Sequence, residues 1–231
     1  MGFISLPFST KKETKEILVL ELFTSEGCSS CPPADKLLKE IIEDAKQNNK
    51  EIYALAFHVD YWDYLGWKDV FASPDYTARQ NVYADYFSSQ RIYTPQLIVN
   101  GTKELVGSDR KTLKGALARP SIPTAFITLT TKMDNGKISL HYILSGDIHE
   151  ALLNVALVQK GISTKVSAGE NVGKTLLHEN IVRKFQTLKI LNEEGNIILH
   201  AKGLPLESCE VIAFIQKEED WKIVGATAVE L

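Results

Sequence analysis

Glu21-Leu22-Phe23-Thr24-Ser25-Glu26-Gly27-Cys28-Ser29-Ser30-Cys31-Pro32-Pro33-Ala34-Asp35 joins two segments of opposite character. Before it, Ile17-Leu18-Val19-Leu20 is an apolar run of buried-strand type. After it, the apolar residues Leu37, Leu38, Ile41, Ile42 and Ala45 recur at helical spacing, which predicts a helix from about Pro32 to Gln47. The two cysteines therefore fall on a strand-to-helix turn. A helix start presents unpaired N–H groups and a positive dipole end, and both favour a thiolate over a thiol. Two cysteines three positions apart in that place suit a dithiol that cycles with a disulfide.

In that chemistry Cys28 is expected to be the attacking thiolate and Cys31 the resolving thiol, because the first cysteine of such a turn is the more exposed. Glu26 and Asp35 are acids close by, Pro32 disfavours a helical conformation at Cys31, and no base lies between Thr24 and Asp35. Only a moderate lowering of the Cys28 pKa is expected. Glu21 breaks an apolar run, so it either relays a proton for Cys31 or pairs with a base. His58, at the end of the second predicted strand, reads as a core histidine or a base. Cys28, Cys31 and His58 together offer an alternative, an open site for Cu(I) or zinc. A third alternative is a binding protein without catalysis. The dithiol reading is preferred, and it needs no cofactor beyond the redox-active disulfide.

Working outward, Glu51 to Val59 is a second apolar strand, so the chain opens with a parallel β-α-β unit. Residues 61–93 hold ten of the chain's twenty aromatic residues. Ser73-Pro74-Asp75 starts a helix there. Trp62 and Tyr93 are expected to wall a groove beside the dithiol, although aromatic residues at helical spacing, such as Tyr76 and Tyr83, equally suit a core. Asn100-Gly101 signals a hairpin. Arg119-Pro120-Ser121-Ile122-Pro123 reads as a linker that ends a first domain, 16–119. From 124 to 231 the pattern is of short strands with turns at Asp134-Asn135-Gly136-Lys137 and Asn192 to Asn196, predicting an antiparallel, immunoglobulin-like sandwich as a separate domain. Within it, His178-Glu179-Asn180 with Arg183 could face the dithiol or form a polar strand edge. Cys209 reads as a small buried hydrophobe.

The opening stretch also resembles the signature of a bacterial thioredoxin-like family of unknown function. Phe57-His58-Val59-Asp60-Tyr61-Trp62-Asp63-Tyr64-Leu65-Gly66-Trp67, Tyr93-Thr94-Pro95-Gln96 and Val106-Gly107-Ser108-Asp109-Arg110 are similar to the same family. The resemblance implies an α/β thioredoxin-like N-terminal domain with the aromatic helical segment inserted at 61–93. It implies a cis Thr94–Pro95 bond opposite the dithiol, with the Thr94 backbone pairing with an extended substrate. It also implies a protein or peptide-like disulfide partner and, from the habits of relatives, the cell envelope.

Composition narrows the classes further. A net charge of −3 over 231 residues argues against nucleic acid as the main partner. No apolar run reaches the length of a membrane span, and residues 1–15 read as a lead-in with no period and no export signal. Three cysteines, Cys28, Cys31 and Cys209, are too few for a disulfide-stapled scaffold.

Overall fold

A computed structural model describes residues 15–231, so the expectation for the first fourteen positions lies outside the described residues. Strand β1 (Ile17–Thr24) is buried along its whole length. Helix α1 (Pro32–Gln47) returns the chain to β2 (Glu51–His58), which runs parallel to β1 with Leu20 opposite Ala54 and Thr24 opposite His58. Helix α2 (Pro74–Tyr86) follows, capped by the Ser73 side chain, which accepts from Asp75 N–H. Strand β3 (Gln96–Val99) pairs antiparallel with β1, β4 (Lys103–Val106) turns back on β3, and α3 (Arg110–Leu117) completes the first half.

Alternation along β1 divides its side chains between two cores. Leu18, Leu20 and Leu22 pack under α1 with Leu37, Leu38 and Ile41. Val19 and Phe23 face the opposite side, where α2 delivers Tyr76 and Tyr83. Tyr61, Trp62, Tyr76, Tyr83 and Phe87, half of the aromatic residues of 61–93, thus pack on the second face of the sheet.

The second half comprises β5 (Ala125–Asp134), β6 (Lys137–Gly146), β7 (Ala151–Gln159), β8 (Ile162–Lys165), β9 (Thr175–His178), β10 (Ile181–Lys189), β11 (Glu194–His200), β12 (Cys209–Lys217) and β13 (Ile223–Glu230). Here the expected architecture fails. One mixed eight-stranded sheet runs β13-β12-β7-β10-β2-β1-β3-β4, through both halves of the chain. The second half is therefore not a separate immunoglobulin-like sandwich, and the first is not a free-standing thioredoxin-like α/β domain with an insertion. The junction is β10 against β2, with Ile181 opposite Ala56. Ala56 N–H donates to the Asn180 carbonyl at 2.9 Å, and the Asn180 side chain donates to the Ala54 carbonyl at 2.9 Å. A strand edge carries unpaired N–H and C=O groups, and the edge of β2 satisfies its own by accepting a strand from the other half.

A second tie lies beside the β3–β4 hairpin. Asn100 donates to Val19, and Ile223 N–H donates to Asn100. Gly101 sits at φ +74, where an added Cβ would lie 1.9 Å from the Trp221 carbonyl oxygen, so only glycine fits there. The small sheet β11-β6-β5 covers the far end through Ile138, Leu140, Val155, Leu157 and Val211. The remaining ribbon, β8 with β9, was not foreseen from the sequence and lies against α1.

Candidate functional site

Cys28 and Cys31 occupy the turn between β1 and α1, and both are thiols with no exposed surface. The turn is wound by Cys28 N–H donating to Ser25 and Cys31 N–H donating to Cys28, each at 3.2 Å. Cys31 is the residue that precedes α1, and its carbonyl accepts Ala34 and Asp35 N–H at 2.8 and 3.1 Å. Its backbone is helical, at φ −77 and ψ −39, although proline follows it. The bias that Pro32 imposes is overcome by those two bonds. The expectation of an exposed Cys28 is not met in this structure; the exposed part of the loop is Ser29 and Ser30.

The two thiols differ. The Cys28 sulfur lies 3.2 Å from Ser30 Oγ and 3.9 Å from the Thr94 carbonyl oxygen. The Cys31 thiol, the Ser30 hydroxyl and the Thr94 side chain favour the Cys28 thiolate, and against the opposing effect of burial they lower its pKa to about 6. Cys31 is pushed far above the ordinary thiol range by burial, by the neighbouring Cys28 charge and by Asp35. Thr94 stands across from the pair on the cis Thr94–Pro95 bond. Its carbonyl also accepts from Ser30 Oγ at 3.4 Å, and its hydroxyl accepts from Trp62 Nε1 at 2.8 Å. Gly107 donates to the Pro95 carbonyl, and a Cβ there would lie 2.8 Å from Leu22 and 3.2 Å from Ala34, so glycine lets this loop close on α1. Trp62, Thr94 and Pro95 are thus gathered at the dithiol. Tyr93 is tied by its carbonyl to Gln80, on the α2 side.

Glu21 is placed elsewhere. It lies on the α2 face of β1, wholly buried, and takes Arg79 Nε at 2.5 Å and Nη2 at 3.0 Å, with the Tyr83 hydroxyl as a further donor. The Arg79 guanidinium is in turn surrounded by the rings of Phe57, Tyr83, Phe185 and Phe214, 4.7 to 5.8 Å from their centres. Of the two readings of this acid, pairing with a base is the one its surroundings match.

The buried acids and bases beside the dithiol are different ones. Asp35, on the first turn of α1, accepts the Thr24 hydroxyl at 2.9 Å. His58 Nδ1 meets Asp69 Oδ2 at 2.6 Å, and Asp69 also accepts Glu26 and Phe71 N–H, both at 2.9 Å. His178 Nε2 reaches Glu26 Oε1 at 3.2 Å, and Trp67 donates to the other Glu26 oxygen at 2.8 Å. The two imidazoles stand edge to face, 5.0 Å between centres. Burial opposes charging His58, but the Asp69, Asp35 and Glu26 carboxylates outweigh it and raise its pKa. Burial raises that of Asp35, against the pull of His178 and His58. Among the described residues no three His, Cys, Asp or Glu side chains are arranged to hold a metal ion.

The second half of the chain braces the loop. Asn171 donates to the carbonyls of Glu26 and Cys28, each at 2.9 Å, and Glu170 accepts Ser29 N–H at 3.0 Å. Glu179 pairs with Lys39 of α1 at 3.1 Å. Of the polar group 178–180 and 183, His178 reaches the site, whereas Asn180 serves the sheet junction and Arg183 binds Gln159 and Phe71. Asp69, Glu170 and Asn171 were missed from the sequence. The sequence signal that could have found the last two is their place in a stretch bounded by Gly169 and Gly173. Cys209 is buried in the core of the second half, its thiol donating to the Pro205 carbonyl.

A family model described as "Protein of unknown function (DUF1223)" matches residues 19–216. The chain is similar to an Agrobacterium tumefaciens protein of known crystal structure, with 25% identity, a TM-score of 0.67, and coverage of 93% of this chain and 95% of that one. A domain of the outer membrane lipoprotein Omp28 from Porphyromonas gingivalis is 12% identical over 48% of this chain and 89% of its own, with a TM-score of 0.30. No curated protein matches. Among the described residues no helix is long and apolar enough to cross a membrane.

Proposed function

For a chain that belongs to the DUF1223 family, across most of its length, we propose thiol–disulfide exchange on a protein or peptide-like substrate, carried by Cys28 and Cys31 and needing no other cofactor. The observation that carries this reading is the asymmetry of the pair. At pH 7 a thiol with a pKa of about 6 is roughly nine-tenths thiolate, whereas its neighbour stays protonated.

The Cys28 thiolate attacks one sulfur of a substrate disulfide; that S–S bond breaks, and the departing sulfur leaves as a thiolate. A mixed disulfide joins Cys28 to the substrate. Cys31 then loses its proton, attacks the Cys28 sulfur, and releases the second substrate thiolate. The substrate gains two electrons and the pair becomes a disulfide. Run backwards, the same steps donate a disulfide. The Ser30 hydroxyl and Thr94 steady the thiolate, and because Cys28 is covered, a substrate must displace part of the Ser29-Ser30 loop to reach it.

The test is the equilibrium midpoint of the pair in graded thiol buffers, read by alkylation and intact mass. A two-electron curve is expected, near about −270 mV for a reductant or about −120 mV for a disulfide donor. Absence of a Cys28–Cys31 disulfide at every poise, or full exchange activity in Cys28→Ser, refutes the proposal.

A further inference from the structure

Once Cys28 is tied up in a mixed disulfide, Cys31 loses the thiolate partner beside it, and its proton needs another acceptor and a way out. This inference rests on the exchange reading above. The sulfur lies beneath the loop with no exposed surface. Glu21 is on the opposite face of β1, held by Arg79. His58 and His178 each have one nitrogen engaged by a carboxylate and the other enclosed without a partner. Asp35 differs from all three. It sits one helical turn after Cys31, its N–H donates to the Cys31 carbonyl at 3.1 Å, and its carboxyl holds the Thr24 hydroxyl. It also lines a cleft of about 190 Å³ between α1 and β9, with Lys36, Lys39, Thr175 and Leu177 on the walls. At roughly 30 Å³ per molecule that space admits several waters.

We infer that Asp35 takes the Cys31 proton during resolution and passes it to water in the α1–β9 cleft, so that the proton leaves on a different side from the substrate. The titratable groups that act on Asp35 come from every element around it: His58 from β2, His178 from β9, Asp69 from the loop after β2, and Cys31 from the turn before α1. The two imidazoles favour an ionised Asp35 before the transfer, and its burial favours the protonated form that results. In the step itself, the S–H proton of Cys31 moves to the carboxylate. The Cys31 thiolate forms the bond to Cys28 Sγ, and the substrate sulfur departs with the electron pair of the broken bond. The ribbon β8–β9 thereby gains a purpose, since β9 is one wall of the exit.

The test is stopped-flow reaction of the reduced full chain with an aromatic disulfide that liberates coloured thionitrobenzoate. The first equivalent reports attack by Cys28 and the second reports resolution by Cys31. In the wild type the second phase should level off at a pH well below that of an ordinary thiol. In Asp35→Asn the first phase should persist, while the second slows about 10²-fold at pH 7 and climbs about tenfold per pH unit without a plateau. Asp35→Glu should recover part of the rate. A merely structural role would not change the pH profile. A wild-type second phase in Asp35→Asn overturns the inference. So does a wild-type protein whose second phase rises throughout without a plateau, a readout that needs no variant to fold. Failure of the first phase in wild-type protein would instead overturn the exchange reading.

Discussion

Asn171 donates its side-chain amide to the backbone carbonyl of Cys28 at 2.9 Å, across 143 positions of sequence. The same amide holds the Glu26 carbonyl, and the whole side chain is buried. The conformation of the dithiol loop is therefore set from the second half of the chain. In Asn171→Leu the Glu26 carbonyl loses this donor and the Cys28 carbonyl keeps only the Cys31 N–H, both at a buried site, costing about 1–3 kcal/mol. Chemical denaturation should show that loss, and alkylation of Cys28 should speed up as the loop loosens. Unchanged stability together with unchanged alkylation would refute the bracing role.

The thiol of Cys31 is the foremost stabiliser of the Cys28 thiolate. Cys31→Ala should therefore move the Cys28 pKa from about 6 toward the ordinary thiol value, as read by the ultraviolet absorbance of the thiolate. Because the folded-state value is depressed, the thiolate adds stability that is present above the unfolded thiol pKa and is lost as pH falls through about 6. A Cys28 titration unmoved in Cys31→Ala would contradict the assignment.

Glu21 and Arg79 form a buried ion pair, with Arg79 also framed by four aromatic rings. Arg79→Met strands a buried carboxylate and should cost about 3–5 kcal/mol, more than the double change Arg79→Met with Glu21→Leu. Glu21→Gln should leave the pH profile of disulfide exchange as in the wild type. A changed profile would restore Glu21 as a proton relay.

His58 has its pKa raised by Asp69, Asp35 and Glu26 against the opposing effect of burial. A raised value contributes stability that is fully present below the unfolded histidine pKa of about 6.5 and is lost as pH rises through the folded value. The advantage of wild type over His58→Asn in denaturant should therefore shrink from pH 6 toward alkaline pH. An advantage that grows with pH would have the sign wrong.

The stretch from Ile17 to Gln47 determines its own local structure. An apolar run, a turn and a helical repeat are short-range patterns, and they are enough to put Cys28 and Cys31 at a helix start. The strands of the second half other than the β8–β9 ribbon were likewise legible from alternation and turns, near the spans they occupy. What local pattern cannot encode is which strand edge meets which. Two halves with good turns and apolar strands read as two domains, yet β2 and β10 each offer an edge whose backbone groups are satisfied by the other, and the result is one eight-stranded sheet. The same contact brings His178, Glu170 and Asn171 to a loop more than 140 positions away. Glu21 shows the limit at a single residue: a buried acid in a strand is visible in the sequence, but the face it points to and the arginine it meets depend on where α2 lands. Asp35 shows the converse. It reads as an ordinary acid in a helix's first turn, and becomes a candidate proton carrier only because β9 leaves a cleft beside it. Backbone hydrogen bonding and apolar periodicity act over a few residues, so the sequence by itself determines them. Edge pairing and buried charge depend on which distant groups exclude water together, and only the tertiary structure decides that.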